Sequence, residues 1–138
     1  MKISAKAEYA CLAILALAQR DQAAPPLRIR EISESHGIPE RYLVQILLQL
    51  KGAGLVASTR GAAGGYRLAR MPAEISVADV LVAIDGPDLP QRDNSQASPS
   101  SGALARVWEK VREAERNVLD NTTIAELVAQ DRPHEWTI

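Results

Sequence analysis

The chain has 138 residues, of which 46% are apolar, a formal net charge of −1 and one cysteine. That length and composition suit one compact domain, with or without an oligomerisation arm, that folds without metal or disulfide, and they exclude global disorder. The lone Cys11 rules out an intramolecular disulfide and fits a reducing cytoplasm.

The near-neutral total conceals a split: residues 1–72 carry +5 and residues 73–138 carry −6. A chain divided in this way can draw phosphates to one part and repel them from the other. At the N-terminus, MKISAKAEYACLAILALAQR joins a lysine to an apolar run, but Lys6, Glu8 and Gln19 interrupt the run and no small-residue cleavage site follows. The stretch reads as a buried amphipathic helix, neither a signal peptide nor a membrane span.

Residues 28–70 form one continuous device. A short helix leads into the turn His36-Gly37-Ile38-Pro39, and a second helix is predicted from Glu40 to about Gly52. In it Leu43, Ile46, Leu47 and Leu50 fall at i, i+3, i+4 and i+7, one apolar stripe for the core, while Arg41, Gln45 and Gln49 occupy the opposite side. Pro39 suits the first helical position, Glu40 suits the positive end of the helix dipole, and Gly52 and Gly54 mark the stop. Leu48 lies on the outward half, where it either packs on the preceding helix or meets a thymine methyl; Val44, at the stripe edge, has the second option too.

The strands LVAST and GYRLA follow, joined by RGAAGG, in a hairpin over about 55–69 whose Gly61, Gly64 and Gly65 permit a tight loop. A nucleotide phosphate loop is the rival reading, but no Gly-Lys-Ser/Thr ends the run and a strand follows it. A helix-turn-helix followed by a basic hairpin is a winged helix, whose second helix fits the major groove while the hairpin reaches a minor groove. Arg41 matches guanine O6 and N7, Gln45 matches adenine, and the Tyr42 hydroxyl suits a phosphate. Arg28, His36, Glu40, Gln49, Arg60 and Arg67 complete the candidate DNA-binding set, Arg60 being placed for a narrow minor groove. Arg and Gln on a helix ordinarily form only a solvated face. The glycine turn before them and the basic hairpin after them reverse that default.

Beyond Met71-Pro72, Val77, Val80, Leu81 and Ile84 repeat at helical spacing, predicting a linker helix over 76–85 with Ser76 as cap and Gly86 as stop. Residues 1–86 therefore read as the DNA-binding domain. The Pro-, Ser- and Asp-rich stretch 87–102 reads as a flexible loop. From Ala103 a helix runs to about Asp120, and Leu104, Val107, Val111, Ala114 and Val118 recur at alternating steps of 3 and 4, the spacing of a helix–helix seam. A second copy of the chain is the simplest partner for it. Thr123-Ile124-Ala125-Glu126 resembles a capping box that opens a short last helix folding back on the head, so 103–138 holds the dimerisation helix and a short C-terminal helix. The expected fold is mainly α with a small β-hairpin, and two-fold symmetry predicts a pseudo-palindromic operator.

The start MKISAKAEYACLAILALA, the unit IREISESHGIPERYLVQILLQLKGAGLVASTRGAAGGYRLAR, the stretch EISVADVLVAIDG and the late TTIAELV together resemble the Rrf2 family of bacterial winged-helix regulators. Its members include the iron–sulfur-cluster assembly regulator, the nitric-oxide-sensing repressor and the cysteine-metabolism repressor. The resemblance covers nearly the whole chain except 87–102. It implies a homodimeric cytoplasmic transcription factor, usually a repressor, with Arg41, Tyr42, Gln45 and Arg60 at or near DNA.

Cluster-binding members of that family carry three cysteines in the loop before the dimerisation helix, sometimes with a histidine at its end. Here the loop offers only Asp88, Arg92, Asp93, Asn94 and serines, and Gly102 stands in the histidine's place. No cofactor is therefore expected, because iron–sulfur clusters are held mainly by cysteine thiolates. Glu8 matches a carboxylate that some relatives use as a ligand from the opposite subunit, but alone it holds no iron. Cys11, with no cation close in sequence, reads as an inert buried thiol before it reads as a redox switch. His36 reads as a phosphate or surface contact, and His134, near Glu135 and Trp136, is too isolated for a metal.

No pairing of nucleophile and base points to an enzyme. The alternatives to a cluster-free regulator are a redox- or metal-responsive one using Cys11 or Glu8, and a winged helix turned to protein–protein binding.

Overall fold

The computed structural model describes residues 2–21, 23–87 and 98–131. Helix α1 spans Ala5–Gln19, and the Ser4 hydroxyl caps it by accepting from the Ala7 N–H at 3.0 Å. Its buried residues include Ala7, Ala10, Ala13, Ile14 and Leu17, and the alanines let neighbouring helices approach closely around it. Among the described residues, no helix is long and apolar enough to cross a membrane.

Helix α2 covers Ile29–His36 and stops at Gly37, whose φ of 65° lies where a side chain would be strained. The Ser33 hydroxyl closes the turn by donating to the Ile38 carbonyl at 2.5 Å, and Ile38 drops into the core as a plug. Helix α3 then runs over Glu40–Gly52, with Leu43, Ile46, Leu47 and Leu50 fully buried as their spacing predicts. Pro39 occupies the cap position, one residue before the helix rather than its first residue.

The wing consists of β1, Val56–Thr59, and β2, Gly65–Leu68, paired antiparallel with Val56 opposite Leu68 and Thr59 opposite Gly65. Leu27, in the lead-in to α2, adds a third line of pairing. Its N–H donates to the Tyr66 carbonyl at 3.0 Å and its carbonyl accepts from the Tyr66 N–H at 2.7 Å. Two-stranded hairpins are marginal alone, so this bridge sets the wing on the helix-turn-helix.

A single 3-10 turn at Pro72–Glu74 leads to α4, Val77–Asp85, capped as expected by Ser76, whose hydroxyl accepts from the Asp79 N–H while Asp79 accepts from the Ser76 N–H. Helix α5 spans Pro99–Asn121 and α6 spans Ile124–Asp131. The start of α5 corrects the sequence reading, which put 98–102 in a loop. Ser98 and Pro99 look loop-like in composition, yet the Ser98 hydroxyl accepts from the Ser101 N–H at 3.1 Å and Pro99 sits where its missing N–H is not needed. The candidate loop residues Asp88, Arg92, Asp93 and Asn94, together with His134, Glu135 and Trp136, lie outside the described residues.

Backbone bonds from Val77 to Thr122 and from Ile124 to Ile75 dock the end of α5 and the start of α6 on the head, and Ile124 enters the core fully buried. The core lies where α1, α3, α4 and α6 meet. The folding back of the last helix, expected from Thr123, is thus present.

Candidate nucleic-acid interface

With four residues of α3 locked into the core, its outward face is fixed by geometry. Arg41, Val44, Gln45 and Leu48 are all exposed, Val44 by 41% and Leu48 by 60%. Most of the Leu48 side chain is thus open to solvent on this face. Gln49 requires a correction. At 3.6 residues per turn each step of four drifts by about 40°, so Gln49 has turned roughly 80° from Arg41, whereas Leu48 lies only about 20° from it. Gln49 accordingly sits half-buried on the flank of α3, where its Nε2 donates to the Ile84 carbonyl of α4 at 3.3 Å. It joins the recognition helix to the linker helix instead of facing outward.

Tyr42 is exposed beside this face, and the Arg41 guanidinium lies over its ring, 5.4 Å from the centroid. The contact preorients Arg41 without consuming its donors. Glu40 and Val44 line one wall of an open cleft, Arg28 and Arg30 of the α2 end line a second, and Thr59, Gly61 and Gly64 of the wing line the third. The N-terminal half of α3 and the wing therefore open to the same side. Arg60 is exposed at the start of the wing's tip loop, directly after β1. Arg67 is half-buried in β2, opposite Ala57 and on the strand face away from Tyr66 and Leu68, which pack on the core. His36 lies at the far end of α2 from Arg28, half-buried, and is not among the cleft-lining residues. The wing is braced further by Lys51, whose Nζ donates to the Ser58 hydroxyl at 2.7 Å.

A second exposed surface runs along α5, which has no buried residue in the protomer. The five seam residues all point outward. Leu104, Val107, Val111 and Val118, joined by Trp108, are between 46% and 64% exposed, and Ala114 is exposed among them. Trp108 escaped the sequence reading, although it lies four residues after Leu104 on the same face. The half-buried stripe toward the head is Ala105, Glu109, Arg112, Glu115 and Leu119, with Arg112 donating to Glu109 at 2.6 Å.

The Rrf2 family model, described as iron-dependent transcriptional regulators, matches residues 3–130. The chain belongs to the Rrf2 family. A provisionally named HTH-type transcriptional regulator of Mycobacterium tuberculosis, Rv1287, is 42% identical over 137 residues, covering 96% of this chain and 84% of that one. CymR of Bacillus subtilis is 34% identical over 129 residues, covering 94% of this chain and 91% of its own. The solved structure of that CymR, described as the global cysteine regulator, superposes with a TM-score of 0.80 at 30% identity, over 94% of this chain and 98% of CymR. The IscR structure from T. potens gives a TM-score of 0.77 at 35% identity, over 94% of this chain and 88% of IscR. This Rrf2 protein is a DNA-binding transcriptional regulator and not an enzyme.

The family's association with iron can be tested on the residues present. The chain has one cysteine and two histidines, and among the described residues no group of three or more His, Cys, Asp or Glu side chains converges as a metal site. Cys11, the only thiol, is pushed up from 9.0 to about 11 by burial and, secondarily, by the nearby Glu8 carboxylate. A thiol held protonated is a poor nucleophile, and one thiol cannot supply the several cysteine thiolates that hold an iron–sulfur cluster. These residues do not fit a cluster of the family's type.

The same shift predicts a pH effect. Because the folded thiol keeps its proton after the unfolded one has ionised, stability falls as pH rises from about 9 towards about 11. In chemical denaturation across that range Cys11→Ala is expected to lose less stability than the unaltered chain, and iodoacetamide at pH 8 should label Cys11 far more slowly in the native protein than after unfolding.

Proposed function

We propose that the chain is a cytoplasmic homodimeric repressor of a pseudo-palindromic operator, seating one α3 per subunit in successive major grooves, and that it does so without an iron–sulfur cluster. The observation that carries this reading is the single cleft onto which the start of α3 and the glycine-rich wing both open. In this arrangement Arg41 presents a forked donor to a guanine edge and Gln45 a donor–acceptor pair to an adenine. Glu40 offers an acceptor to a cytosine amino group, and Val44 and Leu48 offer apolar surface to thymine methyls. The Tyr42 hydroxyl serves a phosphate, and Arg60 serves the adjacent minor groove.

The outward face of α5 supports the dimer. Five large apolar side chains exposed along one helix face form a patch that a soluble protomer rarely leaves in water. Pairing two copies there covers the patch and brings two positively charged heads to one duplex.

Selection of fragments from a random DNA pool by the purified protein tests the proposal. The expected product is an inverted repeat whose half-sites lie about one helical turn, or a multiple of it, apart. Failure to enrich any sequence, with no retarded species at low ionic strength, overturns it. On the selected operator, Arg41→Ala is expected to cost about 1–3 kcal/mol and to relax the preference at one base pair. An equal loss on random DNA would show that Arg41 reads no base.

A further inference from the structure

Arg28 stands one residue after the Leu27 bridge, at the N-cap position of α2. Its backbone N–H donates to the Glu31 carboxylate at 3.3 Å, which fixes the start of the helix. Its guanidinium reaches across to the wing, where Nη2 donates to the carbonyl of Ala62 at the tip. The loop there contains Ala62 and Ala63, small exposed residues with no polar side chain of their own to hold the loop's shape. The wing is thus tied to α2 at two heights, through Leu27 to the second strand and through Arg28 to the tip.

We propose that Arg28 is a positioning residue: it acts on DNA through the wing, holding the tip at a set angle to α3, rather than by neutralising a phosphate itself. The sequence reading placed it among the direct DNA contacts. Its carbonyl acceptor lies 34 residues away and left no local signal. The inference rests on the proposed approach of the wing to DNA. A cationic donor on a carbonyl makes a charge-assisted bond, stronger than a neutral one. Replacing it leaves the loop with its internal bond from the Gly64 N–H to the Gly61 carbonyl at 2.9 Å, and the strands with Leu27 and Lys51, but takes away the tip's direct hold on α2.

Two measurements test this. In the free protein, Arg28→Met should make trypsin cut after Arg60 several-fold faster, with other cleavage sites and the thermal midpoint little changed. On the selected operator, Arg28→Met should weaken binding about tenfold in the unaltered chain but less than twofold in an Arg60→Ala background, because both residues act through one wing. Unchanged cleavage after Arg60 overturns the tether. Additive losses with Arg60→Ala overturn the positioning role and assign Arg28 its own DNA contact. If the unaltered protein binds no DNA, the proposed function fails and the role of Arg28 on DNA fails with it, while the cleavage result still reports separately whether the tether exists.

Discussion

Val111→Asp is expected to yield monomers at concentrations where the unaltered chain is dimeric, and to abolish tight operator binding. Val111 lies mid-way along the exposed face of α5 and contributes nothing to the protomer's core, so the head should fold as before. In the proposed seam the new carboxylate would be stripped of water opposite valine and leucine, with no partner built for it. Burying an unpaired charge costs several kcal/mol, and two-fold symmetry imposes the cost twice. The effect on DNA is larger than the change in mass. Two joined heads bind the second half-site at a high effective concentration, a gain on the order of 10²–10⁴ that a monomer forfeits. Light scattering and gel shifts on the same samples decide the matter. A surviving dimer refutes the seam, and monomers that bind as tightly as the unaltered chain refute two-headed recognition.

Gly65→Ala is the other substitution with a large expected effect. The glycine has φ of 154°, and a Cβ there would lie 2.5 Å from the Leu27 carbonyl oxygen and 2.8 Å from its carbon. Those atoms are backbone, and the same carbonyl accepts from Tyr66. Relief therefore requires the bridge to part. The strain and the lost pairing should cost about 1–3 kcal/mol, seen as a drop of several degrees in the thermal midpoint. The wing should also come loose, weakening operator binding beyond the loss of stability. Gly52→Ala provides the contrast. Nothing lies within 4 Å of its Cβ position, and the residue is helical. Alanine there should raise stability by a few tenths to about 1 kcal/mol. If both substitutions behave alike in thermal melts, the close approach at Leu27 is not what selects glycine at 65.

The contrast also marks where the sequence was readable. The core stripe of α3 was legible because Leu43, Ile46, Leu47 and Leu50 repeat with the helix's own period, and the caps at Ser76 and Thr123 were legible because their partners lie three residues away. Long-range features left no such trace. The Leu27–Tyr66 bridge and the Arg28–Ala62 tether pair residues more than thirty positions apart. Gln49 failed for a subtler reason, since each step of four residues overruns the helical turn by about 40° until the side chain reaches the flank. The start of α5 was hidden by serines and a proline that read equally as loop or as helix opening, and only the cap geometry separates the two. On α5 itself the outward residues follow from their spacing, except Trp108, which lies one residue after Val107 and so off the alternating steps of 3 and 4, although it shares their face.

The anchorage of α5 makes the long helix a cantilever. At 1.5 Å per residue it is about 35 Å long, against about 14 Å for α4, and the cleft that the two helices share reaches back along α5 only as far as Trp108, so the first turns of α5 extend past α4. Its root is clamped near Thr122 by bonds to Val77 and by Ile124 in the core, while its tip receives the chain arriving from α4. Leverage then works in one direction: a small push at the tip becomes a large bending moment at the root. The root adjoins α4, which Gln49 links to the DNA-facing rod.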